Sequence, residues 1–344
     1  MKFLTILLLL LFGSVVEAAG TQRQEFAQAC MGLPVRIILY TDDHEMAQQA
    51  ARAAFRRFGA IDAAMSDYNP ESEIVRLAQA AETDSEPTWQ PVSDDLWAVL
   101  LASQRFYELS DGAFDVTLGP LTRLWRRSRR MQKLPESALL EKMRQRVGWK
   151  AVELDSQNRR IRLTKPGMRF DFGGIAKGYA LDAAAEVIRK QGIKSFLVDA
   201  GGDVRAGDPP LRDRQEDADG WIIAVGPQRK EDRQTECCLL KNEALAASGD
   251  TFQFVEIDGV RYSHLIDPAT GLGLTARRFV AVRAPEATTA DALASALCVL
   301  GPEKGLPLAE RLPRVEAMFI DGEKRSATSG WKIMDAGQKP VDVP

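Results

Sequence analysis

Histidine and cysteine are scarce in this chain, and that scarcity narrows its chemistry. Among 344 residues there are two histidines and four cysteines. His44 and His264 stand far apart and no two cysteines have paired ligand spacing, which argues against a zinc centre. Cys30, Cys237, Cys238 and Cys298 are too few to staple a protein of this size. The adjacent Cys237 and Cys238 would point to opposite faces of a strand, so all four read as buried free thiols. A basic stripe is also missing: 45 Lys and Arg mix with 48 Asp and Glu for a net charge of -3. No nucleic-acid partner is expected on that distribution. Internal repeats, low-complexity tracts and interdomain linkers are absent too, so residues 19–344 read as one domain.

Only one long apolar run exists. Residues 3–12 follow Lys2 and lead to the small-residue site Val16-Glu17-Ala18. This is the pattern of a secretory signal peptide, residues 1–18, cleaved after Ala18 and too short for a comfortable membrane span. The mature chain is therefore expected to be exported to the periplasm. A lipid anchor is not expected, because no cysteine lies at the junction.

Patterning along the rest predicts interleaved helices and strands. Residues 34–40 (PVRIILY) form a strand and 45–65 a helix, broken at Ser66-Asp67-Tyr68-Asn69-Pro70. Ser72 caps a short helix over 73–80, and a further helix covers 93–109. Gly119-Pro120 reads as a break before 121–130, a stretch apolar on one side and strongly basic on the other. That basic face suits either solvent or a phosphate. A hairpin pairs 151–155 with 160–164, and an extended run at 168–170 precedes a glycine turn and a helix from Tyr179 to about Lys190. Strands follow at 196–198, 221–225 and 236–240, then a hairpin 252–257 with 260–266 over Asp258-Gly259. A strand at 279–283, a helix at 289–300 and a strand at 315–320 complete the chain. Together these predict an α+β fold of mixed and antiparallel sheets with packed helices, not a doubly wound parallel sheet.

Three stretches could carry chemistry. In Asp171-Phe172-Gly173-Gly174-Ile175-Ala176-Lys177-Gly178 a glycine turn opens a helix whose first amides could receive a phosphate beside Lys177. The same residues also serve as a plain turn with a surface lysine. His264 closes a strand, where it is either a satisfied histidine or a proton acceptor near neutrality. Asp291 and Ser295, four apart on a helix, share one face and suit Mg²⁺, which takes hard oxygen ligands. Asp291 reads equally as a first-turn residue favouring the helix dipole.

As a set, these residues resemble a family. Met31-Gly32, SDYNPESEI (66–74), DGAFDVTLGPL (111–121), DFGGIAKGYALD (171–182), DAGGDVRAGD (199–208), ALAASGD (244–250), YSHLIDPATG (262–271) and TADALASAL (289–297) occur in the order found in the FAD:protein FMN transferases of the ApbE family. The resemblance implies an exported, Mg²⁺-dependent enzyme with an ApbE-like fold. Such an enzyme cleaves FAD, attaches FMN to a threonine or serine hydroxyl of another protein, and releases AMP. Met31, Tyr68, Ala113, Phe114, Asp115, Asp171 and Lys177 would contact FAD, as would the backbone around His264 and Leu265. Gly174, Ala294, Asp291 and Ser295 would hold the metal, the first two through carbonyls, and His264 would assist catalysis. The family's Met-Gly-Thr is here Met31-Gly32-Leu33, so a hydroxyl at that position is lost, while Ser295 keeps one where threonine is common. The acceptor implied is a subunit of a membrane redox complex. Two other readings stay open on sequence: a metal-dependent FAD pyrophosphatase yielding FMN and AMP, and a non-catalytic exported FAD-binding protein.

Overall fold

A computed structural model describes residues 21–83, 87–210, 220–226, 236–250 and 253–333. The expected signal peptide lies outside these residues, as does Phe252 at the start of the second expected hairpin.

Strands β1 (Gln22–Cys30) and β2 (Leu33–Thr41) pair antiparallel, with Cys30 opposite Leu33. Met31 and Gly32 turn between them at φ of 52° and 74°. A two-residue turn with both residues left-handed matches the strand twist. In β2 the pleat sends Val35, Ile37 and Leu39 to one side and Ile38 to the other, and both sides are buried. Helix α1 (His44–Met65) is capped by the Asp43 carboxylate and buries Ala47, Ala50, Ala51 and Ala54, which let it lie close to its neighbours. In α2 (Glu73–Thr83) the Ser72 hydroxyl accepts from the Val75 amide at 3.3 Å, the cap read from sequence.

The two-residue β3 (Gln90–Pro91) precedes α3 (Asp94–Leu109), which is capped by Ser93. The Gly119-Pro120 pair does not break the chain; it opens α4 (Gly119–Met131). Proline suits a first turn, where its missing amide has no partner to lose. A Cβ on Gly119 would stand 2.6 Å from the Arg169 carbonyl oxygen, so the helix start is pressed against that backbone. Helix α5 (Ser137–Arg144) follows, then the expected hairpin β4 (Val152–Asp155) with β5 (Arg160–Leu163), to which β3 adds an edge. The extended run at 168–170 makes only an isolated bridge, Arg169 with Leu118.

Helix α6 (Ala176–Lys190) starts three residues before the expected Tyr179. After it come β6 (Phe196–Ala200), β7 (Asp203–Ala206), β8 (Trp221–Val225), β9 (Glu236–Leu240), β10 (Ala244–Gly249), β11 (Phe254–Ile257), β12 (Val260–Ser263) and β13 (Arg278–Ala284). The chain ends in α7 (Ala287–Leu300), α8 (Pro302–Glu310), β14 (Glu316–Asp321) and β15 (Lys324–Ala327).

Eight strands form the main sheet in the order β1-β2-β6-β7-β10-β13-β14-β15, each pair antiparallel. One face carries α1, α6 and α7 over a core that includes Ile37, Val198, Ala246, Val280 and Phe319. The other is covered by the β8–β9 hairpin, whose Trp221, Ile223, Cys238 and Leu240 pack on Ile38, Leu197, Val204 and Ala281. A smaller core joins α4 to β11–β12 through Leu121, Trp125, Val255 and Tyr262. The architecture is the expected α+β, with parallel pairing confined, among the described residues, to isolated bridges.

Candidate active site

Two helices meet where the motifs converge. A Cβ on Gly178 would fall 2.2 Å from the Ala287 carbonyl oxygen, so only glycine lets α6 and α7 approach this closely. Asp182, one turn along α6, accepts from the Ala287 amide (2.9 Å), the Thr288 amide (2.8 Å) and the Thr288 hydroxyl (2.7 Å). The first turn of α7 thus receives its cap from a neighbouring helix. Arg205 Nε donates to the same carboxylate at 3.1 Å.

That crossing aims Asp291 at the start of α6. The Gly178 amide donates to Asp291 Oδ2 at 3.0 Å, so one amide expected to be free for phosphate holds a protein carboxylate instead. Lys177 Nζ binds Asp203 Oδ2 and lies 4.0 Å from Asp291 Oδ1. Asp203 Oδ1 in turn accepts from the Ala247 amide at 3.0 Å. Burial would lower the Lys177 pKa, but the charges of Asp203 and Asp291 outweigh it and hold the ammonium above its ordinary range. Burial raises Asp291 above the usual carboxylate range, with Lys177 and the Gly178 amide opposing and Asp203 adding.

Ser295, one turn after Asp291, faces the glycine turn: a Cβ on Gly174 would stand 2.8 Å from its Oγ and 3.4 Å from Phe114. Ser248 Oγ on β10 lies 3.3 Å from Ser295 Oγ. Ala294 is buried beside it in α7. Among the described residues no group of three His, Cys, Asp or Glu side chains is placed to hold a metal. What converges is one carboxylate, hydroxyls and a glycine backbone, all hard oxygen donors. This fits a Mg²⁺ that completes its shell with water and substrate phosphate oxygens, and it does not fit a thiolate or imidazole metal.

On the other side of the turn, Asp171 is fixed by its amide to Val116 O (2.8 Å), and its Oδ1 accepts from the Gly173 amide (2.9 Å). Arg126 of α4 lies 3.5 Å from Asp171 Oδ2, binds Asp67, and places its guanidinium 4.4 Å from the centre of the Tyr68 ring. Tyr68 remains 75% exposed, so much of its ring is open to a planar ligand. Phe114 is buried edge-on to Phe106. Asp115 accepts from the amide (2.8 Å) and hydroxyl (2.6 Å) of Thr117, and burial raises its pKa against those bonds. Ala113 hydrogen-bonds back to Ser110. Of these three residues, Phe114 is the one that stands against Gly174.

His264 is half-buried just after β12. Its amide donates to the Gln253 carbonyl at 3.0 Å, and ring Nδ1 lies 3.3 Å from the same oxygen. A carbonyl only accepts, so Nδ1 carries the proton and Nε2 keeps a lone pair. Burial pushes the His264 pKa down to about 4, with Arg129 and Lys177 also lowering it and the Gln253 carbonyl and Asp171 opposing. Leu265 is held by the Ser263 hydroxyl (3.1 Å) and by its own carbonyl, which accepts from the Leu274 amide (2.8 Å).

The structure therefore brings Phe114, Gly174, Lys177, Asp291 and Ser295 together, and sets His264, Tyr68 and Asp171 around the same turn through Arg126, Arg129 and Lys177. Met31 lies in the β1–β2 turn, packed against the helical core, and the Gly201 amide, two residues before Asp203, donates to the Pro34 carbonyl at the start of β2. Sequence reasoning did not single out Asp182, Asp203, Asp67 or Ser248 individually. Asp182 and Asp203 lie inside quoted motifs, and a buried acid there was the available signal. Asp67 and Ser248 gave none beyond their motifs.

Comparisons with known proteins place the chain as a whole. The ApbE family profile matches residues 31–319. The FAD:protein FMN transferase of Vibrio cholerae is 34% identical over 277 residues, 78% of this chain and 79% of that one. That of Haemophilus influenzae is 32% identical over 258 residues, 73% and 72% of the two chains. Among solved structures, the flavin transferase ApbE of Vibrio cholerae superposes with a TM-score of 0.77 at 29% identity, covering 90% of this chain and 98% of that one. The apo flavinyl transferase ApbE of Pseudomonas stutzeri gives 0.76 at 27%, covering 90% and 95%. With its family profile, its motifs and its fold in agreement, this chain belongs to the ApbE family.

Proposed function

We propose that this chain, as an FAD:protein FMN transferase, works outside the cytoplasm. There it attaches FMN through a phosphoester to a threonine or serine hydroxyl of a membrane redox protein and releases AMP. The observation that carries the reading is His264, whose Nδ1 is engaged by a backbone carbonyl and whose Nε2 is left as a neutral base beside Asp171 and Lys177. In the reaction the acceptor oxygen forms a bond to the FMN phosphorus and the bond from that phosphorus to the AMP oxygen breaks. The electron pair leaves with AMP, and the hydroxyl proton passes to His264 Nε2. Tyr68 supplies an exposed ring for the isoalloxazine. Asp291, Ser295 and the carbonyls of Gly174 and Ala294 would hold Mg²⁺, which supplies charge neutralisation at the pyrophosphate. Lys177 keeps Asp203 and Asp291 in place for that task. The apolar N-terminal run and the small residues before position 19 support export.

Incubation with FAD and Mg²⁺, with and without candidate acceptor proteins, tests the proposal. AMP should appear together with flavin that stays on the acceptor after denaturation. AMP with free FMN and no modified acceptor would make the enzyme a pyrophosphatase, and FAD bound without AMP would make it a binding protein. Loss of export on deleting residues 1–18 tests the localisation, and unchanged export would refute it.

A further inference from the structure

Of the cations around His264, Arg129 is the one that the fold leaves uncommitted. Lys177 is bound to Asp203 and lies beside Asp291. Arg126 is bound to Asp67 and Asp171 and covers Tyr68. Arg129, half-buried on α4, makes no side-chain hydrogen bond or ion pair among the described residues. Its position is set by packing. Trp125, one turn earlier on the same face of α4, donates from Nε1 to the Ser263 carbonyl at 2.9 Å and packs edge-on against Tyr262. A Cβ on Gly273 would come within 2.6 Å of the Trp125 ring and 2.2 Å of the Ser263 oxygen, so helix and loop are locked together. The next turn of α4 therefore holds Arg129 next to the residue that follows Ser263, which is His264.

An unpaired guanidinium at a proton-accepting histidine suits an anion that arrives with the substrate. We propose that Arg129 grips the FMN-side phosphoryl group, the one that moves to the acceptor. This rests on the transferase reading above and assigns that reading a specific cation. In the balanced step, Arg129 exchanges no proton; it holds the equatorial oxygens as the acceptor oxygen enters and the AMP oxygen leaves. It also faces His264 together with Lys177 from α6, Asp171 ahead of α6 and the Gln253 carbonyl, and its charge keeps the imidazole neutral until substrate arrives.

The test titrates FAD, FMN, riboflavin and AMP against wild type, Arg129→Gln and Arg129→Lys by flavin fluorescence and calorimetry. Charge-assisted hydrogen bonds of this kind predict FAD and FMN binding about 10- to 100-fold weaker in Arg129→Gln. Riboflavin, which lacks the phosphate, should bind unchanged, AMP should bind unchanged, and Arg129→Lys should recover part of the loss. The acid limb of kcat/KM should move to higher pH in Arg129→Gln, since a cation that disfavours imidazolium has gone. Unchanged FMN affinity, an equal loss for riboflavin, or a loss confined to AMP would each overturn the proposal. The transferase reading fails separately, by AMP release without a modified acceptor, and the FMN titration decides Arg129 in either case.

Discussion

Asp291, placed in the proposed metal site, is a buried charge that the fold holds at a cost in stability. Its carboxylate is buried, is raised in pKa, and shares Lys177 with Asp203. From sequence it resembled a first-turn acid worth about 0.3–1 kcal/mol through the helix dipole, but the structure gives it a hydrogen bond to the Gly178 amide as well. Asp291→Ala would strand that amide at a cost of about 1–3 kcal/mol. Asp291→Asn keeps an oxygen acceptor and removes the buried charge, and Lys177 still has Asp203. We expect Asp291→Asn to melt no lower than wild type in the absence of metal and to lose most Mg²⁺-dependent AMP release. Retained activity at low Mg²⁺ would remove Asp291 from the metal site. His264 yields a second expectation. Because the free enzyme holds its pKa at about 4, kcat/KM should stay flat as pH falls through 6.5 and drop only on approach to that lower value. In kcat the limb should lie higher, because bound pyrophosphate favours the cation. His264→Ala should lower turnover about 10²- to 10⁴-fold with FAD binding nearly intact. A kcat/KM limb centred near 6.5, or one that persists in His264→Ala, would defeat the assignment.

Among the elements, the ones that hold the site were legible where their pattern was strong, and less so where packing overrode it. β2, α1, α3 and α7 carry clear periodicity. β1 is an edge strand whose side chains are mostly exposed, so no apolar alternation marks it. β10, Ala244–Gly249, is rich in alanine, a poor strand former that fits because α7 lies close on it. β7 has four buried residues including Asp203 and Arg205, two charged side chains that hide a strand from any apolar pattern. α8 contains Pro307 in its interior. The candidate site was legible as motifs, but not as geometry: nothing in GYALD announces that Asp182 caps a different helix 105 residues away. The α6–α7 crossing gives this scale its test. Gly178→Ala places a methyl against the Ala287 backbone, which cannot swing aside as a side chain could. Overpacking of this kind costs about 1–3 kcal/mol, and it also pushes Asp291 off the Gly178 amide. A lower melting temperature together with weaker apparent Mg²⁺ affinity is expected. An unchanged melting temperature would show that the helices can separate without loss.

For the whole molecule, a sheet buried on both faces determines the fate of the thiols. Cys30 and Cys298 belong to the helical core, and Cys238 belongs to the core under the β8–β9 hairpin. All four cysteines are buried, and no disulfide joins any two of them among the described residues. Burial pushes Cys238 and Cys298 up to about 12 and raises Cys30 and Cys237 as well. Thiolate is the reactive form, so these groups are protected by both access and ionisation. Cys237 and Cys238 are neighbours on one strand, and Cys298 donates instead to the Ser248 carbonyl at 3.3 Å. Under the export proposed above the protein would meet oxidising conditions, and burial of each thiol in the fold is what keeps them from pairing. The native protein should therefore resist a thiol reagent at neutral pH and react at all four positions once unfolded. Its melting temperature and flavin-transfer rate should be the same with and without a reductant. A reductant-sensitive melting temperature, or a disulfide-linked peptide from the oxidised native protein, would show that the β8–β9 layer opens far enough to expose a thiol.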